Sequence, residues 1–311
     1  DRITGVCANS WVWSRATLDG PVARINVKTA GVHTLNVWMR EDGLRLDKLL
    51  LTVDSTYVPT GMGPPQSPRM PEAAPQVWPT SGWLQSITLQ QLANHTAGFD
   101  KPGGLVSLLY RPGTTWSYSD GGANWLADVL TVTFATDLNS VMFDRVFSRL
   151  GIGPAALVWR RNAYRDTTIN AIERREFGSG ISASVDAMAR IGYLYLRDGL
   201  WDGTRILPQS FIAEVRQPAI SAVGLPVSDP VNFPHASEHY GLLWWNNADG
   251  TLANVPLDTY WSWGLGDSLI VVIPSLDIVV ARAGDSGWRS RWNADYAVLA
   301  PFIEPIVRAA Q

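Results

Sequence analysis

WSWGLGDSLIVVIPSLDIVV, residues 261–280, is the stretch that decides the fold. Two short apolar runs rich in β-branched residues lie in it, SLIVVI (268–273) and a second that continues to Arg282, DIVVAR (277–282). Asp267 precedes the first run and Pro274-Ser275 separates the two. Runs of that length bounded by turn residues read as buried strands, since a helix needs a longer stretch with a 3.6-residue apolar period. Upstream, YGLLWWN (240–246) and residues 258–263 repeat the pattern. Strands joined by such short links predict an antiparallel meander, closed by a helix over roughly residues 292–309.

Ahead of the meander the period becomes helical. Thr88 and Gln91 stand at capping-box spacing for a helix from Thr88 to Asn94, and Gly98 fits its stop. Asp120 is placed to cap a helix with Trp125, Leu126, Val129 and Leu130 on one side. Asp137 is placed to cap another, with Val141, Val146, Phe147 and Leu150 inward and Gly151 ending it. Ser184 opens a third, through Met188, Ile191, Tyr195 and Leu196 to Gly199, and a short helix follows Pro208. Helices followed by an antiparallel sheet give an α+β fold, a sheet flanked by helices.

The N-terminal part differs. Residues 22–28, 32–40 and 47–54 read as strands, with alternation clearest where Val32, Thr34, Asn36 and Trp38 oppose His33, Leu35, Val37 and Met39. Val58 to Gly82 then holds seven prolines in 25 residues, which excludes a helix or a central strand. The division is therefore a β segment over 1–57, a proline-rich linker over 58–82 and the main domain over 83–311. Three strands bury too little to stand alone, so residues 1–57 form part of a sandwich or dock on the main domain.

Composition narrows the function classes. Apolar residues make up 46% of the 311 and charged residues 17%, a balance for burial and against disorder. A net charge of −3 gives no electrostatic case for nucleic acid or an anionic membrane. No apolar run approaches the ~20 residues of a membrane span, and no signal peptide is visible after Asp1-Arg2. The single cysteine, Cys7, has no internal partner for a disulfide and reads as a small apolar residue. The fifteen tryptophans are scattered from Trp11 to Trp292, which favours core filling over a row of sugar platforms.

Five stretches in a fixed order carry a resemblance. They are ITLQQLANHTAGF (87–99), LLYRPGTTWSYSDGGANWLADVL (108–130), FDRVFSRLGI (143–152), FGSGISASVDAMARIGYLYLRDGLWDGTRILPQSF (177–211) and the opening stretch (261–280). Together they resemble the serine β-lactamase and penicillin-binding-protein superfamily, in particular its family VIII carboxylesterase-like branch. The resemblance implies that sheet and helix arrangement, incomplete at its N-terminal side. It places Tyr118 at the tyrosine of the family's Tyr-x-Asn motif, with Asp120 in the third position. Ser262-Trp263-Gly264 takes the place of the strand motif Lys-Thr-Gly, with Leu265 where the carboxylesterases carry a second glycine. Gly180, in Gly178-Ser179-Gly180, falls in the loop beside the pocket. Implied chemistry is acyl transfer on a small ester or acyl substrate without a cofactor, with Tyr118 relaying the proton and backbone amides near Trp263 and Gly264 holding the oxyanion. Loss of the motif cation argues against a penicillin carboxylate as ligand. A secreted or periplasmic location is also implied by the resemblance.

One motif is missing. The three lysines, Lys28, Lys48 and Lys101, have Ile25, Arg45 and Gly98 three residues before them, so no Ser-x-x-Lys nucleophile exists. Residues 31–61 (GVHTLNVWMREDGLRLDKLLLTVDSTYVPTG) resemble the end of a carbohydrate-binding β-sandwich module. The expectation is a hydrolase-like fold without its own nucleophile dyad, inactive or vestigial by itself.

Two readings from other classes stand beside it. One is a non-catalytic protein that binds a glycan or cell wall. The other is a zinc hydrolase, since His235, Glu238 and His239 match H-x-x-E-H, but Pro226, Pro230 and Pro234 precede the motif and a strand comes after it. Among alternative nucleophiles, Ser117 and Ser119 flank Tyr118 and Ser179 lies between glycines, yet no Gly-x-Ser-x-Gly elbow is present. His95, in its His-Thr-Ala-Gly turn, reads as a residue that satisfies local backbone groups.

Overall fold

In the computed structural model, residues 3, 10–17, 22–27, 35, 46–65, 67, 82–284 and 296–311 are described, and the chain divides into units Asp1–Gln76 and Val77–Gln311. The second unit opens with helices α1 (Trp83–Ser86), α2 (Leu89–Ala93), α3 (Asp120–Phe134) and α4 (Leu138–Met142). Strand β1 (Leu157–Trp159), the hairpin β2 (Thr168–Ile169) and β3 (Ile172–Glu173), and β4 (Ile181–Ala183) come next, β4 pairing back on β1. Helix α5 (Val185–Leu196), the hairpin β5 (Leu200–Trp201) and β6 (Thr204–Arg205), and helix α6 (Gln209–Val215) complete the middle. The last third is β7 (Tyr240–Gly241), β8 (Trp244–Asn246), β9 (Tyr260–Trp263), β10 (Leu269–Ile273), β11 (Ile278–Arg282) and helix α7 (Ala300–Ala310).

Strands β7 to β11 form the expected antiparallel meander in chain order. Both faces are covered, which explains the unbroken apolar runs. Leu269, Val271 and Ile273 of β10 join a core with Trp116, Trp245, Trp261, Leu299, Ile303 and Val307, the last two from α7. The alternate residues Ile270 and Val272 join Met188, Leu196 and Val215, from α5 and α6, on the other face. Five tryptophans (Trp116, Trp159, Trp244, Trp245 and Trp261) are buried, so core filling is what these do. No single helix among the described residues is long and apolar enough to cross a membrane.

Most helix starts obey their local signals. Thr88 and Gln91 make the reciprocal capping box, Asp137 accepts from the Asn139 N–H and Ser184 from the Ala187 N–H. Four details differ. The cap of α3 is Ser119, whose hydroxyl accepts from the Gly122 N–H, so Asp120 is the first helical residue and lies in the turn where a carboxylate suits the helix dipole. The helix opened by Asp137 passes into a π turn (Phe143–Phe147) and a 3₁₀ turn before Gly151 ends it. The single strand expected over 240–246 is a tight hairpin, because Leu242 and Leu243 both have positive φ (48° and 68°). That unfavourable backbone is offset by tertiary bonds, Leu242 N–H to Asn94 Oδ1 at 2.7 Å and Leu243 N–H to Ala93 O at 3.0 Å. The closing helix is α7, preceded by a 3₁₀ turn at Tyr296–Leu299.

In the first unit, residues 47–54 show no strand pairing among the described residues, and Leu49 and Leu51 are exposed. Residues 22–27 carry a single bridge, Ala16 to Val22, and a second joins Ile3 to Thr17. Side chains supply other links, with Trp13 Nε1 donating to Gly61 O and Lys48 Nζ to Met62 O. The strand expected over 32–40, apart from Leu35, most of the 66–81 part of the linker, and Cys7 lie outside the described residues.

Candidate active site

Tyr118 belongs to a segment fixed along its length by backbone bonds. The Trp116 N–H donates to Pro226 O and its carbonyl accepts from the Ser228 N–H, so the segment runs parallel to 226–228. On the other side, the Ser117 N–H donates to His95 O at 2.8 Å and the Ser119 N–H to His95 Nδ1 at 3.3 Å. The Asp120 N–H donates to Lys101 O at 2.9 Å. The backbone is thus tied on both sides of Tyr118, which is held half-buried between these anchored neighbours.

The Tyr118 ring packs among aromatic rings. Phe233 is stacked on it at 5.1 Å between centroids, and the His95 ring lies 4.4 Å away. His95 is also in ring contact with Trp116 and Tyr240. Burial, reinforced by the Lys101 charge, lowers the His95 imidazole from 6.5 to about 3. With Nδ1 accepting from Ser119, the neutral ring carries its proton on Nε2. His95 therefore holds the backbone between Tyr118 and Asp120, as its turn position implies. Tyr240 is pushed well above the ordinary tyrosine value, first by burial and then by the nearby Tyr118 and Asp120 groups.

Asp120 meets two things the motif pattern does not reveal. Lys101 Nζ lies 3.4 Å from Asp120 Oδ2 and 5.4 Å from the Tyr118 ring centroid. The loop 176–180 closes on the other side: a Cβ added at Gly178 would lie 3.2 Å from Asp120 Oδ1. Gly180 is tighter still, since a Cβ there would fall 2.0 Å from Glu176 O. Its glycine identity is a packing requirement of this loop.

Beneath the loop lies a buried polar network. Glu176 Oε1 accepts from Asn124 Nδ2 and from the Gly178 N–H, and Asn124 Oδ1 accepts from the Phe177 N–H. Arg165 donates to Asp128 at 2.7 Å and to the carbonyls of Gly104 and Gly121. Arg174 Nε stands 3.0 Å from the other Asp128 oxygen. These groups fasten the first turns of α3, and so Asp120, to two loops. Charged residues in a polar stretch such as 160–176 read as surface, so the sequence carries no signal for this role. Lys101 and Phe233 are equally silent, because nothing in their spacing links them to Tyr118.

Ser262 and Trp263 end β9, and Gly264 follows it. Trp263, like Tyr118, packs against the core around Trp116 and Trp261. Trp263 Nε1 donates to Asp267 Oδ1, and Leu265 is exposed. The Gly264 N–H donates to Ser268 O at 2.8 Å, so the amide expected to hold an oxyanion is already used within its own turn. The three candidate serine nucleophiles are also engaged. The Ser119 hydroxyl donates to Asp100 O while capping α3, Ser228 donates to Ser117 Oγ, and Arg160 donates to Ser179 Oγ.

The zinc signature does not assemble. His235 is exposed with φ 54°, Glu238 accepts from the Gly224 N–H, and the fully buried His239 side chain bonds Tyr296 and faces Asp249. Pro234 leads into a single 3₁₀ turn here, so the motif residues do not share a helix face. No group of metal-binding side chains occurs among the described residues.

Comparison with known proteins gives one answer. The Beta-lactamase family model matches residues 18–284, which takes in much of the N-terminal segment and the proline-rich stretch. An uncharacterized protein of Alkalihalophilus pseudofirmus is 21% identical over 217 residues, 65% of this chain and 62% of that one. A Bacillus anthracis structure described as a 6-aminohexanoate-dimer hydrolase superposes with a TM-score of 0.52 at 18% identity, covering 71% of this chain and 61% of its own. A Bacteroides dorei structure described as a β-lactamase gives 0.52 at 14% identity, covering 74% and 75%. The chain thus spans 62% and 61% of the length of the first two of these relatives.

Proposed function

The chain belongs to the β-lactamase family, and from that premise we propose that it is an esterase-type acyl-transfer scaffold that lacks a nucleophile dyad of its own and does not turn over substrate alone. The family's hydrolase fold implies a small substrate. One observation carries the rest: none of the three lysines has a serine three residues before it. In this chemistry the serine hydroxyl must lose its proton to an adjacent base, and one helical turn between serine and lysine provides that adjacency. Ser119, next to Tyr118, supports the same reading, since a hydroxyl that caps a helix and donates to a carbonyl is not poised to attack.

What remains is half a site. In this reading Tyr118 carries a proton, Asp120 anchors a cation and Trp263 lines the substrate side. The substrate class this half suits is a neutral ester, because Ser262-Trp263-Gly264 offers no cation for a carboxylate. Hydrolysis of p-nitrophenyl butyrate by purified protein and by Tyr118→Phe tests the proposal. The expected result is no turnover by the unmodified protein above the variant. Turnover that the variant loses would mean that a serine in this chain completes the site, and would overturn it.

A further inference from the structure

In the sequence Lys101 is only a lysine with glycine where a nucleophile serine would stand, yet folding sets its ammonium beside both candidate site residues. Its Nζ stands 3.4 Å from Asp120 Oδ2 and 5.4 Å from the Tyr118 ring centroid. The approach is built by the backbone. The Lys101 carbonyl accepts the Asp120 N–H at 2.9 Å, its own N–H donates to Asp100 Oδ1 at 2.7 Å, and Asp100 O accepts from the hydroxyl of Ser119. The side chain therefore starts from a point tied to the residues next to Tyr118. Among the described residues, the rings in contact with Tyr118 carry no charge, since His95 is neutral and Phe233 and Trp116 cannot ionise; the titratable groups beside it are Lys101, its ion-pair partner Asp120 and the buried Tyr240.

We propose that Lys101 is the positioning residue of the Tyr118–Asp120 pair, its ammonium anchoring the carboxylate and supplying positive charge to the phenol face. The inference rests on the reading of Tyr118 as the proton-carrying group. In that role the phenol O–H bond breaks, the proton leaves to solvent, and the negative charge left on the phenolate is favoured by a cation 5.4 Å from the ring centroid. Asp120 opposes the effect on Tyr118 while holding the ammonium in place, so the two groups act as a matched pair.

The test is a pH titration of the full chain labelled with [¹³C]tyrosine, monitored by NMR, with the Tyr118 resonance identified by its loss in Tyr118→Phe. In Lys101→Met the Tyr118 titration is expected to move to higher pH by roughly half a unit or more, an effect kept modest by solvent around the lysine. Lys101→Arg restores most of the shift. Identical titration of Tyr118 in the unmodified protein and Lys101→Met, with the other tyrosine signals unmoved, overturns the proposal. If Lys101→Met does not fold, Lys101→Gln takes its place, and a Tyr118 titration that it leaves unmoved overturns the proposal. Ester turnover by the unmodified protein would sink the absent-nucleophile reading without touching this one, so the two failures are distinct.

Discussion

Strand β10 and the corner around Tyr118 are both built on buried residues, but these are held by different means. In β10 every side chain from Leu269 to Ile273 is buried and apolar, alternating between a tryptophan-rich core on one face and the α5–α6 core on the other. At the corner, Asn94, His95, Thr96, Ser117 and Ser119 are buried as well, and what fixes the chain is a set of directional bonds to backbone groups. Apolar packing tolerates approximate shape, whereas a buried polar corner depends on each partner being present. The sheet is a generic platform, and the particulars of this family member sit in the corner.

Three substitutions probe that contrast. Trp261→Ala removes a fully buried ring from the sheet core and is expected to lower unfolding stability by about 3–5 kcal/mol in urea titrations, with no change specific to the Tyr118 region. Arg165→Met leaves the buried Asp128 carboxylate with Arg174 alone and is expected to lose about 2–4 kcal/mol. Adding Asp128→Leu to it should recover part of that loss, because no uncompensated charge is then left buried. If the double variant is less stable by the full sum of the two single losses, the corner is held by packing after all and the contrast fails.

The smallest effect, taken per pH unit, is a slope. Folded His95 resists protonation down to about 3, while the unfolded side chain takes a proton near 6.5. Between those values the unfolded state binds more protons, so stability falls as pH falls, by up to about 1.4 kcal/mol per unit from this one group. Urea midpoints measured between pH 6.5 and 4 should fall less steeply in His95→Asn than in the unmodified protein. Parallel slopes would show that His95 is hydrated and free to ionise.

Local chemistry explains which parts are legible in the sequence. Thr88 with Gln91, Asp137 and Ser184 act within three residues of themselves, so their helix starts can be read directly, as can the strand pair separated by Pro274-Ser275. The hairpin at Leu242-Leu243 cannot, because two leucines at positive φ are tolerated only through bonds to Asn94 and Ala93, far away along the chain. Residues 47–54 show the converse, an apolar strand pattern that finds no partner among the described residues. At the candidate site, motif order nominates Tyr118, Asp120 and Ser262-Trp263-Gly264, but the contacts of Lys101, Arg165 and Glu176 arise from tertiary proximity and leave no trace in spacing.

The central claim is that a β-lactamase-family fold stands here without a serine able to form an acyl-enzyme. Incubation of the full chain with a fluorophosphonate reagent, then intact mass and peptide mapping, tests it most directly, because an activated serine of this kind becomes covalently marked whatever its natural substrate. The account predicts an unchanged mass. A stoichiometric adduct mapped to one serine, and lost in Tyr118→Phe, would contradict it.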